Sequence, residues 1–170
     1  RMVRRLYAEG HGAAALVAVH QDATGGAWQT ALAYAAALGC LRTGALATSF
    51  REEAVSDLFG EQAVLCGGLG ELVRAAFEAL VARGYAPEIA YFECLHEVKI
   101  LADLLYAKGI DGMREHISGT ALYGDLTRGK RVIDAALRAR LATVLDEIES
   151  GAFAREWVAE AAAGAPRLRA

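Results

Sequence analysis

The fold turns on the stretch Pro87-Glu88-Ile89-Ala90-Tyr91-Phe92-Glu93-Cys94-Leu95-His96-Glu97-Val98-Lys99-Ile100-Leu101. No further proline or glycine interrupts it before Gly109, so the pattern predicts one long helix over residues 87–108. Proline is favoured in a first helical turn, where its missing N–H needs no partner, and glycine marks the end. Residues four apart share a helix face. Glu93 and Glu97 therefore stack, and their face continues through Ile100, Leu101 and Leu104 and back to Ile89 and Ala90. The solvated face is better represented by His96, Lys99 and Asp103. Two carboxylates thus fall inside an apolar stripe. A charge on a buried face costs several kcal/mol unless it is paired or binds a metal. No Lys or Arg lies one turn away on that stripe to neutralise the pair.

A second pair stands upstream, in Ser56-Asp57-Leu58-Phe59-Gly60-Glu61-Gln62-Ala63-Val64-Leu65. Asp57 and Glu61 are again four apart and align with Leu65, and Ser56 is the expected N-cap. Either pair alone reads as a solvated helix face. Two helices that each turn a carboxylate pair inward predict an all-oxygen site suited to Mg²⁺ or Mn²⁺ rather than zinc, with room for two ions.

The rest of the chain is consistent with a mainly α domain. Only 2 prolines occur in 170 residues, which permits long helices and argues against a sandwich or barrel. Residues 2–9 read as a helix end closed by Gly10 and Gly12, and residues 26–39 as a helix stopped by Gly39. Ala15-Leu16-Val17-Ala18-Val19 is the one good strand candidate. Residues 57–83 are predicted helical with an interruption at Gly67-Gly68-Leu69-Gly70. Residues 111–117 and 119–127 read as short or irregular pieces, 129–149 and 151–162 as helices, and 163–170 as a frayed tail. The domain organisation expected is a remnant of a preceding domain over 1–22, a helical metal-binding domain over 23–162, and the tail.

Composition excludes several function classes. The net charge of −3 comes with scattered basic residues, so no footprint for nucleic acid exists. The longest clean apolar run, Ala13 to Val19, is far too short for a membrane span. Cys40, Cys66 and Cys94 form no C-x-x-C pair and read as reduced packing thiols of a cytoplasmic protein. His20 reads as a structural residue at a strand end, His96 as non-catalytic, and His116 as a surface residue. A hydrophobic content of 55% is high for an 18.0 kDa chain and predicts burial of apolar surface against a second copy.

At the carboxylate motifs the sequence resembles the ketol-acid reductoisomerase family, Mg²⁺- and NADPH-dependent enzymes of branched-chain amino-acid synthesis. Val3-Arg4-Arg5-Leu6-Tyr7, Ala18-Val19-His20-Gln21-Asp22-Ala23-Thr24-Gly25 and Ala31-Leu32-Ala33-Tyr34-Ala35 match it. So do Asp57 through Gly68 and Gly84 through Glu97, and the likeness runs from about residue 2 to Trp157. It implies a knotted helical domain whose two subunits intertwine, as in the family's short-chain class, so that each site draws on both. Asp57 would bridge two Mg²⁺ ions, Glu61 would complete the first, and Glu93 from the partner would bind the second. Glu97 would orient or protonate the substrate, and Ser118 would hold its carboxylate.

The chain also departs from the family's pattern. Ala47 stands where the family usually has Glu, and Glu115, His116, Gly119 and Leu122 alter the stretch around Ser118. No G-x-G-x-x-G occurs, and the chain does not begin with Met, so it is expected to be separated from its nucleotide-binding half. The expected function is the Mg²⁺-dependent domain for alkyl migration in a 2-acetohydroxy acid, with NADPH reduction needing a nucleotide-binding domain supplied separately. Two alternatives stay open: a free-standing metal-dependent isomerase or decarboxylase of a 2-hydroxy-2-oxo acid without NADPH, and a non-catalytic dimer module.

Overall fold

The computed structural model of the chain describes residues 1–169. It divides into two compact units, Arg1–Leu58 and a second that begins at Phe59. The first holds α1 (Met2–Ala8), β1 (Ala15–Val17), α2 (Ala27–Ala37), a 3₁₀ turn at Cys40–Arg42, β2 (Ala45–Ala47) and most of α3 (Phe50–Gly60). β1 and β2 pair in parallel, with Ala15 opposite Ala45 and Val17 opposite Ala47. The strand predicted over 15–19 is thus shorter, and its partner has no sequence signature. Ala45-Leu46-Ala47 is a strand because the neighbouring backbone pairs with it, not because of intrinsic preference. Arg42 ties the layer together by donating to the carbonyls of Tyr7 and His11 at 3.1 and 3.2 Å, with its guanidinium 4.5 Å from the Tyr7 ring centre. Gly39 is obligatory here: its φ is +79°, and a Cβ would lie 2.7 Å from the Tyr7 ring.

The second unit contains a π turn at Glu61–Leu65, α4 (Gly67–Val81), α5 (Pro87–Tyr91), a second π turn at Phe92–His96 and α6 (Val98–Arg114). Four further helices follow: α7 (Gly119–Val132), α8 (Ala135–Glu149), α9 (Ala152–Ala162) and α10 (Pro166–Arg169). α4 packs against α5 and the second π turn, and α8 against α9.

Several boundaries differ from the sequence expectation, each for a local reason. α3 starts at Phe50 because Ser49 Oγ accepts the Glu52 N–H at 3.1 Å. Ser56 is therefore mid-helix rather than a cap, and its hydroxyl donates back to the Glu53 carbonyl at 3.2 Å. The Gly67–Gly70 segment continues as helix. Gly109 does not end α6 but kinks it, with φ 69° and ψ −178°. Residues 119–132 form one helix because Ser118 caps it, and Asp134 caps the next by accepting the Leu137 N–H at 2.8 Å. The tail is docked rather than frayed: the Arg167 N–H donates to Glu160 at 2.6 Å and its guanidinium pairs with Glu156. Ala170 lies outside the described residues.

Burial is sparse. The buried apolar residues among those described are Val17, Ala35, Cys40, Ala90, Met113 and Ile148, and no large side chain is fully enclosed. The accessible surface is 12986 Å². A folded monomer of this mass exposes only about 8,000 Å². No helix among the described residues is long and apolar enough to cross a membrane.

Candidate metal centre

Glu61, Glu93 and Glu97 fall at the π turns, whereas Asp57 lies on α3, four residues before the first of them. The Cys66 N–H reaches the Glu61 carbonyl at 2.8 Å and the Glu97 N–H reaches the Phe92 carbonyl at 3.3 Å, each a five-residue span. Glu61 opens the first π turn, Glu93 lies inside the second, and Glu97 follows it directly. Simple α-helical stacking of Glu93 on Glu97 is therefore corrected: the turn between them carries an extra residue. Such wide turns are rare inserts in α-helices and concentrate at functional sites. The first is made possible by Gly67 and Gly68. A Cβ on Gly67 would lie 2.2 Å from the Gln62 carbonyl oxygen, and one on Gly68 would lie 2.0 Å from that of Ala63.

Asp57, Glu61, Glu93 and Glu97 are all exposed in the single chain, as are Ile89, Ile100 and Leu101 beside them. The apolar stripe is present but uncovered. None of the four carboxylates has a hydrogen-bond or ion-pair partner among the described residues. Nor do three or more His, Cys, Asp or Glu converge there into a group able to hold a metal ion. The donor set fits a hard divalent cation in its chemistry, since it offers only oxygen and no cation competes for it. Next to Glu61, the Gln62 amide nitrogen is buried without a partner among the described residues, and an unmet buried donor costs about 1–3 kcal/mol.

Glu53 was missed in the sequence, although the same four-residue spacing places it one turn before Asp57 on α3. It is half-buried and lines an apolar hollow of about 490 Å³ with Leu16, Val17, Tyr34, Leu38 and Phe50.

Ser118 is positioned independently of the carboxylates. Its hydroxyl accepts the Ala121 N–H at 3.2 Å and lies 3.1 Å from that of Thr120, so it sits at the N-terminus of α7. His96 stacks on Phe92 with ring centres 4.7 Å apart, and His20 meets Phe50 edge-on. Of the three cysteines, Cys40 is buried, Cys94 half-buried and Cys66 exposed. The packing role expected for all three therefore fits Cys66 least.

Residues 50–170 match the family described as ketol-acid reductoisomerase, C-terminal domain. Residues 1–44 match acetohydroxy acid isomeroreductase, NADPH-binding domain. The chain belongs to the ketol-acid reductoisomerase family. A solved relative, an NADH-preferring ketol-acid reductoisomerase from an uncultured archean, is 46% identical and superposes with a TM-score of 0.92. The match covers 99% of this chain and 51% of the relative, so the chain spans about half of that protein's length.

Proposed function

We propose that this chain supplies the Mg²⁺-binding helical domain of an enzyme that isomerises a 2-acetohydroxy acid by alkyl migration. The observation that carries this is the placement of unpaired carboxylates at both π turns, within an apolar surface that one copy leaves open. Asp57 would bridge two Mg²⁺ ions, with Glu61 completing the first and Glu93 of a second copy holding the other. Bound, the ions would polarise the carbonyl and hydroxyl oxygens of the substrate. Glu97 orients the substrate or moves a proton at its oxygen, and the Ser118 hydroxyl receives its carboxylate at the start of α7, where helix dipole and free N–H groups favour an anion. The homodimer is intertwined, with each site drawing on both copies, and it works in the cytoplasm. Reduction of the rearranged product by NADPH needs a nucleotide-binding domain beyond the residues described.

Calorimetric titration of the metal-free chain with Mg²⁺ tests the assignment. Saturable binding is expected, and Asp57→Ala should abolish it while helix content by circular dichroism is retained. Undiminished binding in the variant would overturn the two-metal assignment.

A further inference from the structure

The junction of α6 and α7 holds a side-chain arrangement that the carboxylates do not use. The kink at Gly109 returns the Lys108 stem against Gly112, where a Cβ would stand 2.6 Å from Lys108 Cβ. His116 Nδ1 lies 2.7 Å from the Gly112 carbonyl oxygen, and Lys108 Nζ lies 2.6 Å from His116 Nε2. A carbonyl only accepts and an ammonium only donates, so this pair of contacts calls for a proton on Nδ1 and a bare Nε2. From the other side, Arg114 Nε donates to Asp125 Oδ2 on α7 at 2.6 Å, and its Nη1 donates to Asp111 at 3.2 Å. The end of α6 that leads into Ser118 is therefore tied twice, by the imidazole back to Lys108 and Gly112 and by the guanidinium across to α7.

We infer that His116 is a positioning residue: by bridging Lys108 and the Gly112 carbonyl, it fixes the Ser118 hydroxyl for the carboxylate of the substrate. This rests on the reading of Ser118 proposed above. Its effect falls on the acid end of the ligand alone, because the brace holds the carboxylate contact and not the carbonyl end.

The test uses the full chain loaded with Mg²⁺ and two probes, 2-acetolactate and its methyl ester, which lacks the carboxylate. His116→Ala should weaken the acid roughly ten-fold, the worth of one or two net hydrogen bonds. The ester and the Mg²⁺ affinity should stay unchanged. His116→Asn, which can keep a donor to Gly112, should restore most of the acid affinity. Equal loss for acid and ester, or no loss in His116→Ala, overturns the inference. Absence of acid binding to the unmutated, Mg²⁺-loaded chain overturns the role of Ser118 and the brace together. Nitrogen NMR of the His116 ring needs no metal: a proton on Nδ1 and a bare Nε2 support the brace, and any other form at neutral pH overturns it.

Discussion

Gly68 and Gly70 are two residues apart in the same helix and have opposite reasons to be glycine. A Cβ at Gly68 would meet the Ala63 carbonyl oxygen at 2.0 Å, whereas one at Gly70 meets nothing within 4 Å. Gly68→Ala should therefore cost about 1–3 kcal/mol, because the π turn must shift to admit it. Gly70→Ala should be neutral or stabilising by up to about 1 kcal/mol, since alanine loses less backbone freedom in a helix. Chemical denaturation of the two variants separates them, and equal effects would show that the π turn does not depend on Gly68. Asp22 offers a pH-dependent case. Desolvation pushes its carboxyl up, but N–H groups of Ala27, Thr24 and Gly25 and the Thr24 hydroxyl together hold it below the ordinary carboxylate value. A lowered folded-state pKa means that its stabilisation is present above the unfolded value and is lost as pH falls through the folded one. The melting temperatures of the unmutated chain and Asp22→Ala should differ at neutral pH and converge in acid. A gap that persists in acid would mean that charge is not the cause.

Among the elements, α4 and α5 show how the carboxylate-bearing turns are held. Ala90, at 0% exposure, is the most enclosed of the buried apolar residues among those described and lies on α5, which packs against α4. Ala90→Leu should overpack that contact, cost about 1–3 kcal/mol and loosen the following π turn. Lower stability by denaturation together with weaker Mg²⁺ binding is the expected outcome, and an unchanged Mg²⁺ affinity would detach the turn from the packing. The helical identity of residues 87–101 was legible because their apolar periodicity and Pro87 are local signals. The π turn inside them was not, since an extra residue per turn leaves the residue types unchanged. Gly109 and Gly67-Gly68 misled for the same reason. Glycine marks where the backbone has freedom, and its surroundings decide whether it ends a helix, kinks it or widens a turn.

For the whole molecule, the surface of 12986 Å² and exposed side chains such as Leu65, Ile89, Ile100 and Leu101 predict association. Light scattering should give twice the 18.0 kDa chain mass. Dilution should lower mass and melting temperature together, because obligate dimers gain stability from their partner. A stable monomer at low concentration would contradict the shared site. Residue types and their spacing alone determined a mainly α chain, the helical placement of Asp57, Glu61, Glu93 and Glu97 and an excess of apolar surface, because helix periodicity and composition are carried by neighbours in sequence. Only the tertiary structure decided that Ala45–Ala47 is a strand, that the tail folds back on α9, that the four carboxylates stay unpaired among the described residues and that His116 sits between Lys108 and the Gly112 carbonyl. Each of these depends on which distant or kinked segment lies alongside, and chain order does not specify that.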